Sequence, residues 1–179
     1  MNLMSLYQWG GLNLGLFEAV NAVRGPVIDA SMLAGTALGN FLNVIWVALV
    51  MLLLIGVRRG CAQSGWVAHL PDERRLRQLL QVFLLAWGIA GLVVTAGKLG
   101  FDMPRPYAVL PAGSVNLLAM PESPYSFPSG HAAFAMLSAC VFWPHSRRAV
   151  RCLLVFAVLW VGVSRISVGA HFPADVVAG

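Results

Sequence analysis

Charged residues are spaced so widely along this chain that they divide it into long apolar runs. Residues 30–57 carry no charge, and residues 41–57 are the densest part of that run. A second uncharged run covers 78–97. A third covers 129–143 and is interrupted only by His131, and a fourth, 152–170, contains the single charge Arg165. The second run has the roughly 20 residues that a helix needs to cross a bilayer core. The third is shorter, which predicts a helix starting in protein-lined space below the membrane surface. Residues 12–23 read differently. Leu16, Phe17, Val20 and Val23 recur at helical spacing and predict an amphipathic helix, lying along the interface or packed on the bundle.

Composition sharpens this picture. The chain has 179 residues, 59% of them hydrophobic and 11% charged, against roughly 45–50% and 25% in an ordinary soluble protein. A soluble domain of this size has too much surface to cover with so few charges. The predicted fold class is therefore all-α: a polytopic transmembrane helical bundle with an N-terminal amphipathic segment, forming one domain over residues 1–179. Disorder, a coiled coil and a nucleic-acid-binding domain fit poorly. Cys61, Cys140 and Cys152 make no CxxC pair and no zinc spacing. The simplest reading puts two of these thiols inside apolar helices and one in a loop.

The net charge of +5 matters less than where the charges lie. Arg58, Arg59, Arg74, Arg75 and Arg77 fall in one loop, and Arg147, Arg148 and Arg151 in another. Four alternating spans put both loops on one side, which the positive-inside rule makes cytoplasmic. Lys98, Arg105 and Arg165 then belong to the opposite face, where that rule excludes cations unless something else requires them. The connection between residues 98 and 130 carries Pro104, Pro106, Pro111, Pro121, Pro124 and Pro128 among many apolar side chains. Such a loop dips into the bilayer or folds over a pocket.

Three clusters on that outer face can do chemistry: Lys98 to Arg105-Pro106, Pro128-Ser129-Gly130-His131, and Ser164-Arg165 with His171 and Asp175. Lys98, Arg105 and Arg165 can surround the oxygens of a phosphoryl group. Ser129 sits where a helix N-cap would sit, with the amides of Gly130 and His131 turned to an anion. His171 can act as nucleophile while Asp175 accepts its other ring N–H, and His131 is left to protonate a leaving oxygen. Singly, these groups read as interfacial anchors, an ordinary cap and core histidines. Together, at sites where ionisable groups are costly, they read as a functional centre.

Metal chemistry is the competing reading, since His131, His171 and Asp175 could form a two-His-one-carboxylate site. Three neighbouring cations would repel a divalent ion, and no second carboxylate offsets them. Asp102 and Glu122 are outer-loop carboxylates without a clear partner, and His69 and His145 fall in the cytoplasmic loops. No metal and no cofactor is expected.

The patterns K-x-x-x-x-x-x-R-P, P-S-G-H and S-R-x-x-x-x-x-H-x-x-x-D, spanning residues 98–175, resemble the signature of the type 2 phosphatidic acid phosphatase family. Its superfamily also includes bacterial acid phosphatases and vanadium haloperoxidases. The resemblance implies a helical-bundle core, metal-independent hydrolysis through a phosphohistidine, and lipid phosphates as substrates. It assigns phosphate binding to Lys98, Arg105, Ser129, Gly130 and Arg165. His131 becomes general acid, His171 nucleophile and Asp175 its orienting partner. Family members continue into a further transmembrane helix, whereas this chain stops at Gly179. The expectation is a C-terminally truncated domain lacking its last helix.

The leading functional expectation is an inner-membrane lipid phosphatase with an outward-facing site. Undecaprenyl diphosphate is the preferred substrate; phosphatidylglycerophosphate, phosphatidate and lipid A phosphates are alternatives. A phosphate-lipid binding or transport component is the non-enzymatic alternative. Substrate and membrane lipids are the expected partners, with no nucleic acid.

Overall fold

Helix boundaries in the computed structural model, which describes residues 7–61, 70–121 and 123–179, follow local chemistry closely. The helices are α1 (Leu12–Asn21), α2 (Pro26–Leu38), α3 (Val44–Gly60), α4 (Glu73–Phe101), the single turn α5 (Pro106–Val109), α6 (Gly130–Phe142), α7 (Arg148–Ser167) and α8 (Pro173–Ala178). Asp72 caps α4 by accepting the Arg75 N–H at 2.8 Å, and Glu73 adds an acid to the first turn. α2 starts on Pro26 and α8 on Pro173, each at a position that needs no N–H donor. Among the described residues there is no strand, only an isolated bridge between Pro104 and Tyr125.

Three segments are long and apolar enough to cross a membrane: Phe41–Gly60, Glu73–Phe101 and Arg148–Ser167. At 29 residues, α4 is about 43 Å long at 1.5 Å per residue, enough for the bilayer core and both headgroup layers. The 13-residue α6 covers only about 20 Å. It begins beside Val94, seven residues before the end of α4. The side chains turned outward are large and apolar, among them Leu85, Leu92, Leu153 and Leu159, each more than 60% exposed. That inverted surface suits hydrocarbon rather than water.

The first uncharged run does not form one continuous span. It breaks at residues 39–43 into α2 and α3. Side chains hold the break together: Asn40 Oδ1 accepts the Leu42 N–H at 2.9 Å. Asn43 Nδ2 donates to the Ala37 and Leu38 carbonyls, both at 2.8 Å, and Trp87 Nε1 donates to the Phe41 carbonyl at 3.0 Å. Non-helical backbone at membrane depth persists only where its polar groups are satisfied in this way or line a cavity. Below the break, Val44 packs with Phe83 and Phe134. Met51 and Ile55 close the α3–α4 seam against Leu76, Leu79 and Leu80.

The arginine-rich ends gather as the charge pattern requires. Glu73 takes Arg59 and Arg77 at 2.7 and 2.8 Å, and Arg75 lies 2.7 Å from His145. Two expectations are corrected. α1 does pack on the bundle, but through Asn13, Phe17 and Asn21, all nearly fully buried. Leu16 and Val23 of the expected apolar face point outward, at 47% and 53% exposure. The polar residues face inward because they hydrogen-bond there. Cys140 and Cys152 are also exposed rather than buried, lying on outward faces where a lipid environment accepts a thiol.

Candidate active site

Six of the eight expected site residues, Lys98, Arg105, Gly130, His131, Arg165 and His171, line one cavity of about 400 Å³. The other two stand behind its wall. Ser129 and Asp175 are completely buried, and they are joined through the backbone, where Ser129 N–H donates to the Asp175 carbonyl at 2.9 Å. The Ser129 hydroxyl accepts the Ala132 N–H at 3.5 Å as the N-cap of α6. It therefore serves the helix start, and Gly130 rather than Ser129 lines the cavity.

His171 is held from both sides. Its Nδ1 lies 3.4 Å from Asp175 Oδ2 and 3.4 Å from Ser126 Oγ. Its Nε2 lies 3.3 Å from Arg105 Nη1. A guanidinium has donors only, so Nε2 must accept, and the ring proton sits on Nδ1 and points to Asp175. The lone pair of Nε2 thus points at Arg105, and both residues line the cavity. The contact is not made across a helical face, because His171 precedes α8 by two residues and Asp175 lies inside its first turn. Asp175 Oδ2 also accepts the Phe172 N–H at 2.8 Å, which folds the turn and brings the two side chains together.

Asp175 is further fixed by residues that the motif spacing does not reveal. Tyr7 donates its hydroxyl to Oδ1 at 2.9 Å, and Ser126 donates a short hydrogen bond to Oδ2. Burial, and then the Asp175 charge beside it, raises the Tyr7 phenol well above its ordinary value, so it stays a donor. Burial also pushes the His171 imidazole down to about 4, against the opposing hydrogen bond and charge of Asp175. Arg105 and Arg165 push it the same way as burial. These causes together favour the neutral ring at physiological pH.

The cations are set by the outer loop. Arg105 is 3% exposed and donates to the Ser123 carbonyl at 2.6 Å and the Ala170 carbonyl at 2.7 Å. Lys98 Nζ donates to the Tyr125 carbonyl at 2.9 Å. The loop itself is tied down by a pair of amides. Asn21 Nδ2 donates to the Asn116 and Ser167 carbonyls, both at 2.9 Å. Asn116 returns its N–H to Asn21 Oδ1 at 2.8 Å and its Nδ2 to the Asn21 carbonyl at 3.0 Å. Gly169, at φ +78°, lets the chain turn beside Asn116, whose carbonyl oxygen would lie 2.7 Å from any Cβ there. The rest of the lining includes Thr36 and Ala37 at the end of α2, Asn40 and Phe41 of the α2–α3 break, and Gly91, Val94 and Thr95 of α4.

The remaining ionisable residues lie elsewhere. Arg24 pairs with Asp29 at 3.5 Å and donates to the Ser167 carbonyl at 2.8 Å, bracing the end of α7. Asp102 takes the left-handed position that ends α4, and His145 is at the arginine-rich end. His69 and Glu122 lie outside the described residues. Among the described residues no group of three His, Cys, Asp or Glu side chains is disposed to hold a metal ion.

Comparison with known proteins adds an independent line. The PAP2 superfamily model matches residues 79–179. The chain is 25% identical over 169 residues to the undecaprenyl-diphosphatase of Sulfolobus acidocaldarius, covering 94% of this chain and 72% of that protein. It is 42% identical over 62 residues to the lipid A 1-phosphatase of Rhizobium etli, covering 30% of this chain and 23% of that one. The crystal structure of Aquifex aeolicus LpxE superposes with a TM-score of 0.73 at 27% identity, covering 93% of this chain and 86% of that one.

Proposed function

The chain belongs to the PAP2 superfamily and is a membrane lipid phosphatase, and from that premise we propose that it hydrolyses undecaprenyl diphosphate at an outward-facing site of the inner membrane, without a metal. The observation that carries the chemistry is the orientation of His171: Nδ1 rests on Asp175 while Nε2 meets Arg105, one of three cations lining the cavity that His171 also lines. His171 Nε2 attacks phosphorus in line, and His131 protonates the departing oxygen. Asp175 neutralises the imidazolium charge that forms on the ring. Lys98, Arg105 and Arg165 hold the equatorial oxygens, with the Gly130 amide at the start of α6. Water then hydrolyses the phosphohistidine, His131 serving as base. A divalent ion beside His171 would stand against the Arg105 guanidinium, which argues for catalysis by protein groups alone.

The diphosphate reading is supported by the relative that aligns along nearly the whole chain, whose name specifies that substrate. A lipid A phosphate is the second reading, favoured by higher identity over a shorter stretch. The test is inorganic phosphate release by detergent-purified protein in EDTA. The panel contains undecaprenyl diphosphate, lipid A, phosphatidate and phosphatidylglycerophosphate, with His171→Ala alongside. Fastest release from undecaprenyl diphosphate, absent in the variant, is expected. A faster rate on lipid A would select the second reading. EDTA inhibition reversed by a metal would overturn metal independence.

A further inference from the structure

We propose that Asn40, in the break between α2 and α3, binds the leaving group and sets a preference for lipid diphosphates over lipid monophosphates. This rests on the phosphatase reading above and identifies the side of the site that recognises what departs. His171 follows α7 by four residues, and its N–H returns to the Arg165 carbonyl at 3.2 Å. The α2–α3 break adjoins His131: at Gly39 an added Cβ would meet His131 Cβ at 3.2 Å and would also strike Val161. His171, His131 and Asn40 line the same cavity, so an oxygen that His171 displaces and His131 protonates departs on the side where the break presents Asn40.

The chemistry of the break is specific. The Asn40 Oδ1 is engaged by the Leu42 N–H at 2.9 Å, which leaves the Nδ2 donor for a ligand. The Thr36 hydroxyl is committed. Ser164 Oγ donates to the Val161 carbonyl at 2.7 Å, so the 3.2 Å contact between Thr36 and Ser164 uses the Thr36 proton. Ala37 and Phe41 offer no side-chain donor. Asn40 is thus the neutral donor that the break presents beside His131, in a cavity with room for more than one phosphoryl group. In the reaction, His171 Nε2 bonds to the terminal phosphorus and the bond to the bridging oxygen breaks. That oxygen takes its proton from His131 and leaves as lipid monophosphate, whose non-bridging oxygens accept from Asn40. Water later releases the terminal group as inorganic phosphate. A monophosphate ester departs as an alcohol and has no such oxygens.

The experiment compares phosphate release from a polyprenyl diphosphate and a polyprenyl monophosphate with the same tail. Asn40→Asp keeps an oxygen to cap Leu42 but removes the donor, and Asn40→Ser keeps both a cap and a hydroxyl proton. In Asn40→Asp the diphosphate-to-monophosphate ratio of kcat/KM is expected to fall about tenfold or more, with partial recovery in Asn40→Ser. An unchanged ratio, whether both rates fall or neither does, overturns the role of Asn40 and leaves the phosphatase reading standing. A wild-type protein that cleaves both lipids equally does the same. A wild-type protein that releases phosphate from neither overturns the phosphatase reading and this inference together.

Discussion

Tyr7 donates a 2.9 Å hydrogen bond to the carboxylate of Asp175, so a residue at the start of the described chain supports the group that orients His171 near its end. Asp175 also receives Ser126, the Phe172 N–H and His171. With its oxygens filled, the carboxylate cannot rotate, and the His171 tautomer is held.

Tyr7→Phe removes only the hydroxyl, keeping the ring edge-on to Phe127 and Phe172. One hydrogen bond to a charged acceptor is worth about 1.5–3 kcal/mol. Part of that should be lost from the chemical step, lowering kcat roughly fivefold to thirtyfold with little change in KM. Steady-state kinetics on the preferred lipid checks this. A change confined to KM would place Tyr7 in substrate binding instead.

The pH profile follows from the depressed His171 value. A neutral nucleophile is present above about 4 and is lost as pH falls through that value, so the acid limb of single-turnover phosphoenzyme formation should lie below the ordinary histidine range. Asp175 raises the value, while Arg105 and Arg165 lower it. Asp175→Asn should therefore move the limb to still lower pH while cutting the rate at least about tenfold. A limb that moves upward in this variant would contradict the assignment.

Asn21 and Asn116 exchange reciprocal hydrogen bonds that hold the outer loop. Asn21→Ala and Asn116→Ala should each lower thermal stability, and the double variant should lose less than the sum. A coupling of about 1–2 kcal/mol is expected from groups sharing one network. Strict additivity in a double-mutant cycle would show that the pair does not act as a unit.

Gly169→Ala puts a Cβ at a left-handed position and 2.7 Å from the Asn116 carbonyl. The backbone cost alone is about 1–2 kcal/mol, and relief requires moving either the Asn116 loop, which carries the Ser123 acceptor of Arg105, or the turn that carries its Ala170 acceptor. A fall of several degrees in Tm, together with lost phosphate release, is the expected result in detergent.

The sequence is most legible where chemistry is local. Pro128 to His131 announces a helix start, and Gly130 and His131 of that start stand on the cavity wall. Lys98, Arg105 and Arg165 stand out because cations are costly there. The helix break at residues 39–43 is hidden, since Asn40 and Asn43 in an uncharged run are too few to interrupt the hydrophobic signal. Tyr7 and Ser126 are invisible for another reason. Their role is a contact with Asp175 that only the folded chain creates. The inward face of α1 is hidden because Asn13 and Asn21 count as polar, while in the fold they meet buried partners, the Ala174 N–H and the Ser167 carbonyl.

The contacts of residues 7–21 with residues 116 and 164–179 also bear on biogenesis. During synthesis the first helix emerges long before the segment that its asparagines and tyrosine must grip. It has to wait at the membrane while α3, α4, α6 and α7 insert. The turn that orients His171 on Asp175 therefore closes only after residues 116–175 have been made and have folded back on α1.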